Sequence, residues 1–237
     1  MQQKHLSTQF SAELTHVSNR VMEMGGIVEM QIRNAVASLT HLSAETAQHV
    51  LENEESVNSL EVDIDRELSA IIALRQPTAR DLRLVLAISK TTANLERAGD
   101  EAERIARMVL SILQTGLSRG LPVSNLKVAT DLVSEQLRKA LDAFARLDTE
   151  AALRILKEDD LIDREYDGFV RHLITYMMED PRTISASLDL LFLAKALERV
   201  GDHAKNIAEQ IIYIVMGNDV RHTPIDKVSE LIAQKED

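Results

Sequence analysis

Leu95-Glu96-Arg97-Ala98-Gly99-Asp100 returns with one substitution as Leu197-Glu198-Arg199-Val200-Gly201-Asp202, 102 positions later. Working outward, Ala35-Val36-Ala37-Ser38-Leu39 aligns with Ala140-Leu141-Asp142-Ala143-Phe144 at an offset of 105. The same offset carries Val50-Leu51 onto Ile155-Leu156, Glu54 onto Asp159, Val57 onto Ile162 and Asn58 onto Asp163. The offset drops by three near Pro77 and Pro181, which are themselves 104 apart, while Pro122 and Pro224 are 102 apart. Recurrence at a fixed period marks a tandem repeat.

The repeat is helical. Gly (8) and Pro (4) are scarce, aromatics are 3% of residues and apolar residues 45%, a composition poor in the materials of hairpins and strands. Ser43 and Asp148 are N-cap types, each followed by an acid in the first turn (Glu45, Glu150). Pro77 and Pro181 suit the first position of a helix, and Gly116, Gly120 and Gly217-Asn218 suit helix ends. Leu82, Val85, Leu86, Ser89 and Ala93 form one stripe at helical spacing, as do Leu190, Leu193, Leu197 and Val200. The expected helices are 7–41, 44–75, 78–115, 124–147, 149–179 and 182–216. The expected fold is all-α: two antiparallel three-helix bundles (7–115 and 124–217) placed end to end, joined by a linker at 116–123 and followed by a loose tail, 218–237.

Charge and composition exclude several functions. With 27 Lys+Arg against 38 Asp+Glu the formal charge is −11, which repels phosphate backbones and argues against nucleic-acid binding. There is no cysteine, hence no disulfide framework, Cys-ligated zinc or thiol nucleophile. The N-terminus lacks the apolar stretch of a signal peptide, and the longest apolar run, Ile211–Met216, is far short of the ~20 residues of a membrane span. The expectation is a soluble intracellular protein without direct membrane insertion. No phosphate-binding glycine loop, nucleophile elbow or H-E-x-x-H motif is present, so no catalytic residue is assigned.

The acidic motifs are the candidate chemistry. Glu96 and Asp100, like Glu198 and Asp202, are like charges at i,i+4 on one helical face and repel each other. Each pair encloses a mid-helix glycine, Gly99 or Gly201, which costs up to ~1 kcal/mol relative to alanine. Counting from the turns brings Glu54 and Asn58 level with the first pair, and Asp159 and Asp163 level with the second; Glu29 and Glu135 reach the same levels from the first helix of each bundle. Hard oxygen donors in this number suit Mg, Ca, Mn or Fe. The plainer reading is a solvated acidic face neutralised by Arg97 or Arg199. Glu13-x-x-His16 is only half of a di-iron motif, and His203 beside Asp202 suits packing better than ligation. The eight methionines suit core filling.

These motifs, together with Gln76-Pro77-Thr78-Ala79-Arg80-Asp81-Leu82-Arg83, Met22–Glu29, Tyr176-Met177-Met178-Glu179-Asp180 and the run Leu197–Glu209, resemble the PhoU family over residues 7 to 217. The resemblance implies paired three-helix bundles with metal ligands at Glu96, Asp100, Asp159, Asp163, Glu198 and Asp202. Asn58, where the second repeat has Asp163, implies a weaker first-bundle site. It also implies a non-enzymatic negative regulator of phosphate uptake and phosphate-starvation signalling. Such a protein links the ATPase subunit of the Pst importer to a PhoR-type sensor kinase, as a cytoplasmic homodimer held at the inner membrane by its partners. The alternatives are a metal-dependent enzyme or metal store built on the acidic clusters, and a purely structural helical scaffold.

Overall fold

The computed structural model describes the backbone of residues 2–116 and 120–234 and, apart from residues 2–7 and 125, their side chains. Helix α1 spans Gln2–Thr40, α2 Ala44–Arg75, α3 Ala79–Gln114, α4 Ser124–Arg146, α5 Thr149–Glu179, α6 Ile184–Met216 and α7 Ile225–Ala233. The fold is all-α, two repeats of three long antiparallel helices, with no strand among the described residues.

The local chemistry that marks the ends is in place. Ser43 Oγ accepts from the Thr46 N–H at 3.1 Å, and an Asp148 carboxylate oxygen accepts from the Ala151 N–H at 2.9 Å. Gly217 closes α6 at φ 78°, a conformation that costs glycine nothing. Pro181 opens a single 3₁₀ turn, Pro181–Thr183, ahead of α6. Pro77 does not open α3, which starts two residues later at Ala79, because left-handed Gln76 ends α2 and the chain stays extended through Thr78.

Two expectations are corrected. The bundles do not stand end to end; they lie side by side, with α3 and α6 antiparallel along most of their length. Arg83 near the start of α3 donates to the Ile214 carbonyl near the end of α6, and Ser111 donates to Asp189 at 2.6 Å at the opposite extremity. Between them, Lys90 sits 5.4 Å from the Tyr213 ring centre and Arg199 pairs with Glu101 at 3.1 Å. α1 and α4 also touch, at Gly25 and Leu141. The buried apolar side chains of both halves therefore form one continuous core.

The stretch expected as a loose tail, 218–237, contains α7, whose Val228 and Ile232 are buried, and Val220 ahead of it is buried too. Apolar residues at Val228, Leu231 and Ile232 give even this short helix one face to bury. Within the expected linker Leu121 is buried and the Gly120 carbonyl accepts from Tyr176 Oη at 2.6 Å; residues 117–119 and 235–237 lie outside the described residues.

Candidate functional site: two carboxylate levels

Each repeat builds the same level from three helices. In the first, α2 brings Glu54, Asn58 and Glu61, α3 brings Glu96, Asp100 and Glu103, and α1 brings Gln31. In the second, the corresponding positions are Asp159, Asp163 and Tyr166 on α5, Glu198, Asp202 and Lys205 on α6, and Gln136 on α4. The sequence-based set is thus brought to two levels, one per bundle. Glu29 and Glu135 are not part of them: they are engaged along their own helices with Arg33 (3.1 Å) and Lys139 (3.4 Å). The α1 and α4 members are instead Gln31 and Gln136, both buried. Their identity at the repeat offset was a signal available in the sequence.

The mid-helix glycines make room for these levels. A Cβ at Gly99 would stand 3.1 Å from Glu54 Oε1, and one at Gly201 would stand 3.2 Å from Gln136 Oε1 and 3.0 Å from Ile162 Cδ1. Contacts that close would force the neighbours aside, so the helix penalty of glycine is offset by the approach of a buried polar group.

Electrostatically the two levels differ. Glu54 is only 6% exposed, and neither of its carboxylate oxygens has a hydrogen-bond partner. Burial, then the charges of Asp100, Glu103 and Glu96, push its pKa up to about 7, with the Gln31 amide pulling weakly the other way. Burial followed by neighbouring carboxylates also raises Glu61, Glu96 and Asp100. Arg97 and Arg104 oppose this in part, but Arg104 is already paired with Glu101. The first level has five carboxylates and no lysine.

The second level has four carboxylates and two lysines. Lys205, at the position of Glu103, bonds to buried Asp159 at 2.5 Å; Lys195, at the position of Ala93, pairs with Glu198 at 2.6 Å. Burial works against the Lys205 charge, yet Asp159, Asp202 and Glu209 hold its pKa above the ordinary lysine value. Burial and mutual repulsion still raise Asp163 and Asp202. Among the described residues, no three His, Asp or Glu side chains converge as a ready-made metal cage. The first level nonetheless fits a hard cation in donor chemistry, because it holds an unpartnered buried carboxylate among like charges.

The remaining sequence candidates are structural. Glu13 takes a two-bond grip from Arg75, with Arg75 Nε at 2.9 Å, and His16 stands 3.7 Å from Glu67, so this pair ties α1 to α2. Arg199 serves Glu101 across the α3–α6 seam and not its own level. His203 is buried in that seam, with Nδ1 3.1 Å from the Asn94 side-chain oxygen, which also accepts from Asn206 at 3.0 Å. Burial, aided by Arg97 and Arg199, lowers its pKa to about 4. No described helix is long and apolar enough to cross a membrane.

Comparison with known proteins gives a consistent result. A family model described as the PhoU domain matches residues 21–109 and 126–211, one copy in each bundle. A phosphate-specific transport system accessory protein PhoU homolog of Burkholderia sp is 49% identical over 228 residues, 96% of this chain and 97% of that protein. The phosphate-specific transport system accessory protein PhoU of Escherichia coli K12 is 46% identical over 233 residues, 98% of this chain and 96% of that one. The crystal structure of PhoU from Pseudomonas aeruginosa superposes with a TM-score of 0.85 at 44% identity, covering 88% of this chain and 100% of that one. The phosphate transport system regulatory protein PhoU from Streptococcus pneumoniae gives 0.82 at 26% identity, over 89% and 99%. Doubled bundles, glycine-lined acidic levels and these whole-length matches agree: the chain belongs to the PhoU family.

Proposed function

We propose that this protein restrains phosphate uptake and phosphate-starvation signalling by contact and not by turnover. It acts as a homodimeric adaptor between the ATPase subunit of a phosphate importer and a PhoR-type sensor kinase, in the cytoplasm and peripheral to the inner membrane. The observation that carries this reading is identity of 46–49% along nearly the whole chain to accessory proteins of phosphate-specific transport systems. Deleting the gene and measuring phosphate-starvation transcripts at high phosphate tests it: derepression is expected, and unchanged repression refutes it.

A second element concerns the carboxylate levels. The first level seats a hard cation (Fe, Mn, Mg or Ca) between Glu54, Glu61, Glu96 and Asp100, with the Asn58 carbonyl as a neutral donor, once these side chains turn inward. Such an ion supplies the positive charge that the first level lacks. Unpartnered Glu54 supports this. At the second level a cation at Asp159, Asp163, Glu198 and Asp202 competes with Lys195 and Lys205, so it binds more weakly. This ranking reverses the one that Asn58 alone suggests. Titration calorimetry with Mn²⁺ tests it. Heat lost in Glu96→Gln/Asp100→Asn but retained in Glu198→Gln/Asp202→Asn supports the ranking, and the opposite pattern overturns it. Metal-dependent hydrolysis by the purified protein would favour the enzyme alternative.

A further inference from the structure

The two repeats serve as controls for each other, and at one place in the fold the sizes of two side chains set them apart. At the offset of 105, Val21 and Leu126, Val28 and Val133, Gln31 and Gln136, and Ile32 and Leu137 are all buried, so the helices are packed in the same register. Met24, with no exposed surface, falls in this frame opposite Ala129, and Asp63 opposite Gly168. The second repeat thus lacks a long apolar side chain and a second side chain at one place. A cleft of about 410 Å³ lies there, walled by Ala129 and Gly168 and lined by Leu126, Val133, Phe169 and Leu197. It passes between α4 and α5 to reach Ala194 and Leu197 on α6, both almost fully buried. That depth distinguishes it from a surface groove for a helix, and its volume lies in the ~300–1,000 Å³ range of small-molecule sites.

The polar corner of the cleft is specific to this repeat as well. The polar lining is Ser124, Arg164, Glu165, Tyr166 and Glu198; Arg164 donates to the Asp160 carbonyl of its own helix at 3.0 Å, and Tyr166 and Glu198 form the corner on the Lys195 side. Lys195, which does not line the cleft, reaches this corner from the rim: its ammonium is 2.6 Å from Glu198 Oε2 and 5.2 Å from the centre of the Tyr166 ring. The first repeat has Glu61 and Ala93 at the positions of Tyr166 and Lys195. A carboxylate beside an aromatic face is a seat for an ammonium, through a charge-assisted bond and the ring quadrupole together.

We propose that this cleft binds a small amphiphilic primary amine, its apolar body among Leu126, Val133, Phe169 and Leu197 and its ammonium at Glu198 and Tyr166, in exchange with that of Lys195. Binding involves no covalent step and is separate from the phosphate role and from the first carboxylate level.

Calorimetry on the full chain in chelator, with octylamine, octanol and octanoate as probes below their aggregation limits, tests the assignment. Octylamine is expected to bind, octanol at least about tenfold more weakly for want of the charge, and octanoate not at all. Ala129→Met/Gly168→Asp, which installs the first repeat's own residues, is expected to weaken octylamine at least about tenfold while Mn²⁺ binding persists. Lys195→Met removes the internal competitor and is expected to tighten octylamine binding, a readout that stands even if the double variant fails to fold. Octanoate binding as tightly as octylamine, unchanged affinity in a folded double variant, or weaker binding in Lys195→Met overturns the proposal.

Discussion

Replacing Glu54 with glutamine tests the electrostatics of the first level directly. In the folded protein this carboxyl keeps its proton up to about pH 7, against an ordinary value of 4.5. At about 1.36 kcal/mol per pH unit that difference amounts to roughly 3 kcal/mol. The sign follows from which state holds the proton. Between pH 4.5 and 7 the folded protein retains a proton that the unfolded chain releases, so stability falls as pH rises through this window. Glutamine has no proton to lose and nearly the shape of the protonated acid. Glu54→Gln should therefore change stability little at pH 4.5 and gain steadily above it. At pH 8 the gain is about 2–3 kcal/mol, once the cost of an imperfectly bonded buried amide is subtracted. Urea unfolding in chelator across pH 4.5–8.5 reads this as a widening gap between the two midpoints. A gap that is constant, or that closes as pH rises, would show that Glu54 is ionised and paired in the folded protein. Saturating Mn²⁺ should shrink or reverse the gain, because the variant lacks a ligand that the wild type offers.

Lys205→Glu gives the second level the residue that the first level carries at 103 and strips buried Asp159 of its partner. A loss of about 2 kcal/mol at pH 8 in chelator, partly recovered with Mn²⁺, is expected in urea unfolding; an unchanged midpoint would show that the 2.5 Å pair is energetically neutral. Gly25→Ala and Gly26→Ala, neighbours in α1, should move oppositely. A Cβ at 25 would stand 2.6 Å from both Leu141 methyls, costing about 1–3 kcal/mol, whereas nothing lies within 4 Å of one at 26, where alanine gains up to about 1 kcal/mol. Thermal melts that rank the two variants alike would refute the close α1–α4 contact. The His203 ring should stay neutral down to about pH 4 when followed by NMR. Its depressed pKa means that stability is full above the ordinary value of 6.5 and is lost as pH falls from there towards 4; a midpoint above 6 would place the ring in solvent.

Much of the fold was legible because it is written in local chemistry. Ser43 and Asp148 cap the helices they were expected to cap, and the two Leu-Glu-Arg-x-Gly-Asp motifs sit at one level in each bundle. The side-by-side arrangement is not legible from one apolar stripe per helix. α3 and α6 are buried on two, the second carrying small residues: Ala98, Ala102 and Ala106 on one, Ala196, Ala204 and Ala208 on the other, all buried. Alanines spaced by four residues or a multiple of four were the available sign of close helix approach. At the site, spacing along one helix pointed to Glu96, Asp100, Glu198 and Asp202 as candidates. It could not show that Lys195 and Lys205 supply the second level with its own cations. That depends on contacts between residues 46 apart, and within one helix on which way a long side chain swings. α7 was missed because nine residues seldom hold a helix without tertiary packing, and its packing comes from residues far away in the chain.

The α3–α6 seam has one more consequence. Asp100 and Glu101 are consecutive on α3, and so are Asp202 and His203 on α6: in each repeat the first belongs to a carboxylate level and the second to the seam. Burial raises the pKa of Glu101, and Arg104 and Arg199 oppose it, while Asp100 from its own bundle and Glu198 from the other each push it up again to a lesser extent. Glu101 also holds Arg199 of the opposite helix at 3.1 Å. Neutralising either level therefore favours the ionised form of Glu101 and tightens the grip between the halves. By thermodynamic reciprocity, a partner that pries the halves apart must change how readily each level accepts a positive charge. The two bundles are copies in sequence, but across this seam they respond as a single electrical object.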